Sequence, residues 1–578
     1  MKKHISLFLA ALTAGAIGSA TLTAEAAGLT DAPQPAGGCF VDCYKTTREY
    51  KTPESNAAIR LLAGFLDLWQ PRNVKRNAEV LDWNIAQVKA ITEARTKEQE
   101  DRTYFEGSRS VPYSTLEGLG PFLPSYLRYS KAYTSIAGLP ESMERIPYHD
   151  AGNGAGDKDA PLGPVVRLVN AANGKYTTVG AAKEYYSYRR PFLWDKSIRI
   201  SPLLDPAVPK DDNENYGFPS GHTTRAYACS LALAYAQPAR FREMVMRAGE
   251  ISADRVVAGM HSCLDVMGGR MLGTAIAAAV LSDPKNAALK EKAYRAAQEY
   301  TSCQPDAEDR FADTEKCKEA YAHYLTYDFQ PIDTADRPMT VPKGAEVLLE
   351  TRFPYLDAGQ RRMVLFTTGL PSGYPVIDDE EGWGRLDLVT AADGYRAFPE
   401  DVTVDMDAAK GLYSDYDCWG NDISGSGALT KKGSGELELS GDNSYQGGTR
   451  ILGGTITASD DTALGSGNVQ VDGGRLEEHV DGAFRVQGDY RQGADGTLVL
   501  TVRDASDVTQ MSGKAAVAGK LIVALDEHWQ PAGQTLIRYQ KGSSGRFGEV
   551  ELTGLPAGID AKIVQQKDKV ALQVKGKK

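Results

Sequence analysis

Across residues 57–322, apolar positions recur at the spacing of a helix face. After Trp419 that pattern gives way to short stretches in which apolar and polar residues alternate. Within the first region, residues 227–236, 241–251 and 266–281 read as helices, punctuated by Pro238, Gly259 and Pro284. A stretch of this length can bury a core of its own as an all-α bundle. The acidic, proline-containing run 203–217 has no periodicity and reads as a surface loop. Residues 342–398 are mixed, with a helix predicted over 357–368 and an aromatic-rich segment at Trp383-Gly384-Arg385. In the last region, Gly435-Glu436-Leu437-Glu438-Leu439 and Ile451-Leu452-Gly453-Gly454-Thr455-Ile456 show strands set apart by glycine turns. One such turn cannot bury its apolar face alone, so the repetition itself predicts stacking.

These patterns predict a multidomain chain: a helical domain over 27–341, a mixed extension packed on it over 342–420, and an all-β repeat domain over 421–578. A length of 578 residues is well beyond the size at which one core keeps growing. The first 26 residues read as a secretory leader, with Lys2 and Lys3 as the charged start, an apolar stretch over 5–12 and a small-residue site at Ala24-Glu25-Ala26. The mature chain is then expected to begin near Ala27, outside the bacterial cytoplasm, in the periplasm or secreted. No later segment is expected to reach the roughly 20 apolar residues of a spanning helix. Residues 272–281 come nearest and read as a buried helix, so no integral membrane segment is expected after leader removal.

A net charge of -11 argues against broad nucleic-acid binding, so any anion specificity must come from a local cluster of cations. Export permits disulfides among the seven cysteines, with Cys39–Cys43, Cys303–Cys317 and Cys229–Cys263 as candidate pairs. The last pair would tie together two segments that carry histidines. None of the cysteines has metal-ligand spacing, so neither a metal nor a cofactor is expected.

Candidate chemistry is concentrated in three short motifs. Lys183 and Arg190 are seven residues apart, which on a continuous helix puts them on one face, and Pro191 ends or redirects that helix. An ammonium beside a planar guanidinium suits a bound phosphate. In Pro219-Ser220-Gly221-His222, Ser220 can cap a helix whose free amides face an anion, while Gly221 lets the backbone approach. A capped helix start accounts for Ser220 and Gly221 and leaves His222 unexplained. Arg255 precedes His261 by six residues, and Asp265 follows His261 by four. Asp265 can close a capping box with Ser262, or orient one ring nitrogen of His261 and free the other for attack. By contrast, Pro371-Ser372-Gly373-Tyr374 lacks the histidine and reads as an ordinary turn.

Taken in order, Lys183-x6-Arg190-Pro191, Pro219-Ser220-Gly221-His222 and Arg255-x5-His261-x3-Asp265 resemble the signature of the type 2 phosphatidic acid phosphatase superfamily. Lys183-Glu184-Tyr185-Tyr186 and Arg190-Pro191-Phe192 sharpen the likeness to its class A bacterial nonspecific acid phosphatases. The resemblance implies an all-α bundle of the vanadium haloperoxidase-like fold, hydrolysing phosphate monoesters without a metal. It implies His261 as the nucleophile that becomes phosphohistidine, His222 as general acid and Asp265 as orienter, with Lys183, Arg190, Ser220, Gly221 and Arg255 on the phosphoryl oxygens. The family commonly has serine where this chain has Asp254, which must face away, pair with an arginine or alter the pH dependence. Two other activities fit the same motifs: a vanadate-dependent haloperoxidase with His261 on vanadate, and a surface-binding protein with a degenerate phosphatase domain. The strand repeats over about 425–474 resemble autotransporter passenger domains, which implies a right-handed parallel β-helix.

Overall fold

The computed structural model describes residues 39–71, 73–208, 215–333 and 337–575. The proposed leader lies outside the described residues.

The helical region is organised around Cys263–Ser282, a 20-residue helix with a mean hydropathy of 1.4. This corrects the expectation from 272–281 alone: by length and composition the helix could cross a membrane. Its apolar window is nevertheless wholly buried, because other helices cover every side of it. A helix that is apolar all round is the centre of a bundle. Gly221–Ala236 packs along it at very short range. A Cβ at Gly269 would lie 2.8 Å from the Ser220 carbonyl, and one at Gly273 would lie 2.5 Å from that of Thr224. Only glycine at these positions lets the two backbones approach so closely. Phe241–Val257 packs on Gly221–Ala236 in turn, and Lys97–Ser108 packs on Phe241–Val257.

Beyond the helices the chain winds into a parallel β-solenoid of about six turns. Strands Val402–Met406, Leu429–Gly433, Thr449–Ile451, Val469–Glu478 and Tyr490–Val502 pair in sequence, all parallel. The register stacks like on like: Leu437, Ile456, Leu476, Leu498 and Leu521 follow one another from rung to rung. Each is fully buried. Alternation along a strand, with one face in and one out, is thereby repeated across the stack. Two antiparallel pairings near the end, of Lys569–Lys575 with Gln534–Tyr539 and with Asp560–Gln565, change the pattern.

The parallel array extends upstream of residue 421. Val402–Met406 and Tyr416–Trp419 are already paired within it, and Ala397–Phe398 pairs with Ser424–Gly425. Composition does not mark this start because the first rungs carry large side chains that pack on the helical region. Asp417 accepts hydrogen bonds from Arg352 (2.6 Å) and Tyr355, whose hydroxyl in turn accepts from the Trp419 indole at 2.9 Å. All of these side chains are deeply buried or nearly so.

None of the disulfides considered from spacing is present. Cys229, Cys263, Cys303 and Cys317 are thiols, as is Cys43. Cys229 and Cys263 are instead core residues on neighbouring helices, where burial pushes both thiols up, Cys229 to about 12.

A candidate phosphate site at three helix ends

Three helix ends converge. The first is the N-terminus of Gly221–Ala236, capped by Ser220, whose hydroxyl accepts from Thr223 N–H at 3.4 Å and from the Thr223 hydroxyl at 3.1 Å. The second is the N-terminus of Cys263–Ser282, where the predicted capping box forms: Ser262 N–H donates to Asp265 Oδ2 at 2.9 Å and Asp265 N–H to Ser262 Oγ at 3.3 Å. The third is the C-terminal turn of Phe241–Val257, which carries Arg255. Ser220 N–H donates to the Asp265 carbonyl at 2.8 Å, fixing the first two ends against each other. His222, at the second position of its helix, and His261, just before the Asp265 helix, are thereby brought into one cluster.

Asp265 makes both of the contacts read from the sequence. The same Oδ2 that closes the capping box lies 3.1 Å from His261 Nδ1. On the other side of the ring, Arg190 Nη1 lies 3.1 Å from Nε2. Arginine can only donate, so Nε2 presents its lone pair and the proton sits on Nδ1, facing the carboxylate. Burial, with Arg190, Lys183 and Arg255 nearby, holds His261 well below the usual imidazole range, so it is neutral. Burial raises Asp265, against the pull of the Ser262 amide and of Lys183 and Arg190.

Lys183 and Arg190 reach the cluster, though not from one helix face. Lys183 is on the helix Gly180–Tyr186, which ends at Ser187 in the left-handed region (φ 50°). Arg190 is extended and precedes the short helix Pro191–Trp194. The residue before a proline is driven out of helical conformation, which breaks the seven-residue spacing. Lys183 Nζ donates to the carbonyls of Tyr216 and Gly217, both at 2.7 Å. Arg190 is oriented by Asn215 Oδ1 and by the Met260 carbonyl, both at 2.7 Å. Burial and the Arg190 charge hold Lys183 well below its usual range.

Arg255 differs from the other two cations. It is 4% exposed, yet its Nε and Nη1 have no hydrogen-bond partner. Burial, with the Arg190 charge, lowers it to about 10, still a cation at neutral pH. Buried donors left unpaired are costly, and an anion among the three helix ends would satisfy them. His222 is held well below its usual range by burial and then by Arg255, Arg225, Arg190 and Lys183. Gly221 sits at the first helical position, where a Cβ would meet Val179 at 3.1 Å.

Asp254 faces away from the cluster and pairs with an arginine outside the motifs. Its Oδ2 lies 2.8 Å from Arg102 Nε on the helix Lys97–Ser108. Beyond it a buried charge network continues: Arg247 contacts Glu106, Glu250 (2.8 Å) and Glu117 (3.2 Å). No local pattern points to Arg102 or Glu106, which lie about 150 residues before Asp254. Two nearer residues were also missed. Asn215 holds Arg190, and Gly217 is glycine because a Cβ there would lie 2.4 Å from Asp265 Oδ2.

Comparison with known proteins places these features. A family model for the PAP2 superfamily matches residues 164–288, a span containing every motif residue named above. A second, the passenger-associated-transport-repeat, matches 429–458. The non-specific acid phosphatase of Salmonella typhimurium is 36% identical over 104 residues, covering 17% of this chain and 38% of that protein. The Neisserial autotransporter lipoprotein NalP of Neisseria meningitidis is 32% identical over 199 residues, covering 33% of this chain and 17% of NalP. An extracellular serine protease of Serratia marcescens is 32% identical over 174 residues, covering 25% of this chain and 16% of that protein. The chain thus spans well under half the length of each of these relatives. It combines a PAP2 superfamily domain at residues 164–288 with a passenger-associated-transport-repeat at 429–458 inside a parallel β-solenoid.

Proposed function

We propose that the chain is an exported acid phosphatase that hydrolyses phosphate monoesters through a phosphohistidine on His261. The observation that carries this reading is the opposed pair of contacts on the His261 ring. Asp265 takes Nδ1 while Arg190 marks the Nε2 lone pair, which points it at the place where a phosphoryl group would be held. The similarity to acid phosphatases supports the reaction class, and the similarity to autotransporters and an extracellular protease supports export.

In this scheme Lys183, Arg190 and Arg255 bind the phosphoryl oxygens together with the Ser220 hydroxyl and the Gly221 amide. Nε2 attacks phosphorus and a P–N bond forms as the P–O bond to the leaving alcohol breaks. His222 gives its proton to the departing oxygen. Water then attacks the phosphohistidine, His222 takes a proton from it, and phosphate leaves with His261 restored. Positioning and fixed charge supply most of the acceleration, and no metal is needed because three cations and a helix terminus face the anion. His222 needs a proton to act as an acid, and its surroundings disfavour one in the free enzyme. A bound phosphate dianion offsets those cations and raises it. This favours acidic working conditions.

The test is hydrolysis of p-nitrophenyl phosphate by the purified chain, with and without a chelator, followed by trapping of labelled phosphate under alkaline quench, in which a phosphohistidine P–N bond survives whereas acid cleaves it. The expected result is chelator-insensitive turnover with the label on His261. Label on any other side chain overturns the nucleophile, and loss of turnover on chelation overturns the metal-free scheme. Vanadate-dependent halide oxidation without phosphatase activity would replace the reading altogether.

A further inference from the structure

Beside the phosphate cluster lies a second hydrophobic cluster, separate from the main core. Tyr104, Ile136, Leu203, Leu204 and Ala258 are buried in it. Phe105, Ile146, Tyr148, Ile200 and Met260 pack against these while keeping part of their surface open.

The cluster meets the phosphate site at two points. Met260 directly precedes His261, and its carbonyl accepts from Arg190 at 2.7 Å. Leu204 and Arg255 lie over the same glycine: a Cβ on Gly107 would come 2.7 Å from Leu204 Cδ2 and 3.0 Å from Arg255 Nη1. The unpaired guanidinium is therefore edged by apolar side chains.

The apolar cluster therefore borders the phosphate cluster along both Arg190 and Arg255. In phosphoryl transfer the leaving group is the part of the substrate that extends beyond the bound phosphoryl group, and these side chains are the apolar surface next to it. Tyr148 adds one polar group there, since its hydroxyl is buried and has no hydrogen-bond partner.

We infer that the partly open side chains Met260, Ile146, Phe105 and Tyr148, backed by buried Leu204 and Ile136, form the leaving-group subsite, so the chain prefers phosphate monoesters of aromatic or other apolar alcohols. This deepens the phosphatase reading above and rests on it. An aromatic ring on these side chains removes apolar area from water on both partners, while a polyhydroxylated leaving group gains nothing and loses hydration.

The experiment compares inhibition of the full chain by phenylphosphonate, methylphosphonate and inorganic phosphate, none of which has an ester leaving group to confound binding with chemistry. Phenylphosphonate is expected to bind at least about tenfold more tightly than methylphosphonate, the scale of partial burial of one ring. Leu204→Ala and, separately, Tyr148→Ala are expected to narrow that ratio by about threefold or more while inhibition by inorganic phosphate stays within about twofold. Circular dichroism establishes that each variant is folded. If Leu204→Ala does not fold, Tyr148→Ala, on a half-buried loop residue, decides alone. Equal inhibition by the two phosphonates overturns the subsite, as does a ratio that survives in the folded variants. If neither phosphonate nor inorganic phosphate inhibits, the phosphatase reading fails and takes the subsite with it.

Discussion

The helical region and the solenoid are built on opposite principles. In the solenoid each rung repeats its neighbour, and residues in contact lie roughly one turn of about 20 positions apart, as Leu437, Ile456 and Leu476 do. In the helical region the important contacts are singular and distant: Arg190 meets His261 across 71 positions and Arg247 meets Glu106 across 141. A stack gains stability by adding equivalent layers, whereas a site gains function by holding a few unlike groups in one arrangement. The comparison teaches where substitutions should be felt as chemistry and where as stability.

The sharpest contrast is at His261. His261→Ala should lower turnover by a factor on the order of 10⁵ and abolish phosphoenzyme, as loss of a nucleophile does, with the melting curve little changed. Arg255→Ala should cost about 10²–10³ in turnover, the scale for one preorganised donor to transition-state charge. Steady-state kinetics with alkaline-quench labelling checks both. Retained labelling in His261→Ala would end the assignment.

The junction is where the two principles meet, and it offers a way to break the comparison. Asp417→Ala leaves Arg352 buried without its carboxylate and should destabilise the chain by about 3–5 kcal/mol. Because Asp417 is on a rung and Arg352 on the helical side, denaturant unfolding followed by activity and by far-ultraviolet circular dichroism should shift together. Separate transitions, with activity unaffected, would make the two regions independent modules. Within the stack, Leu476→Ala should cost about 2–5 kcal/mol and leave kcat unchanged, since only a packed layer is lost. A large fall in kcat without unfolding would connect solenoid and site directly.

The smallest expected effect concerns pH. The His222 proton is disfavoured by burial and by the surrounding cations, so kcat/KM should fall as pH rises through its lowered pKa, below the usual imidazole value of 6.5. The corresponding limb of kcat should lie at higher pH, because bound phosphate offsets those cations. Arg225 is exposed and one turn along the helix from His222. Arg225→Gln removes a repelling charge, so the kcat/KM limb should move upward at low ionic strength and less at high, as screening requires. A downward shift would reverse the electrostatic account of His222.

Much of this was legible in the chain itself. The alternation after Trp419 gave the stacked strands, because a period of two repeated at regular spacing has few ways to bury its apolar face. The three motifs gave the group of site residues, because His261 and Asp265 are four positions apart and their contact is set by one helix start. Local spacing failed at Lys183 and Arg190, where Pro191 and Ser187 break the helix that would have joined them. It failed at the cysteines as well, where proximity of Cys229 and Cys263 to the motifs reflected packing of two core helices rather than a bridge.

The sequence by itself therefore determined the periodic elements and which residues gather in the candidate site, since both depend on neighbours within a few residues or on a regular repeat. Tertiary structure alone decided that Asp254 is held by Arg102, that Arg255 keeps unpaired donors next to Leu204, and that the first rungs fasten onto Arg352 and Tyr355. Those outcomes depend on helix, loop and strand residues brought together from about 50 to 150 positions apart. At that range no local period constrains the contacts; the fold decides which buried ions are paired, as Asp254 and Arg352 are, and which, like Arg255, keep unpaired donors.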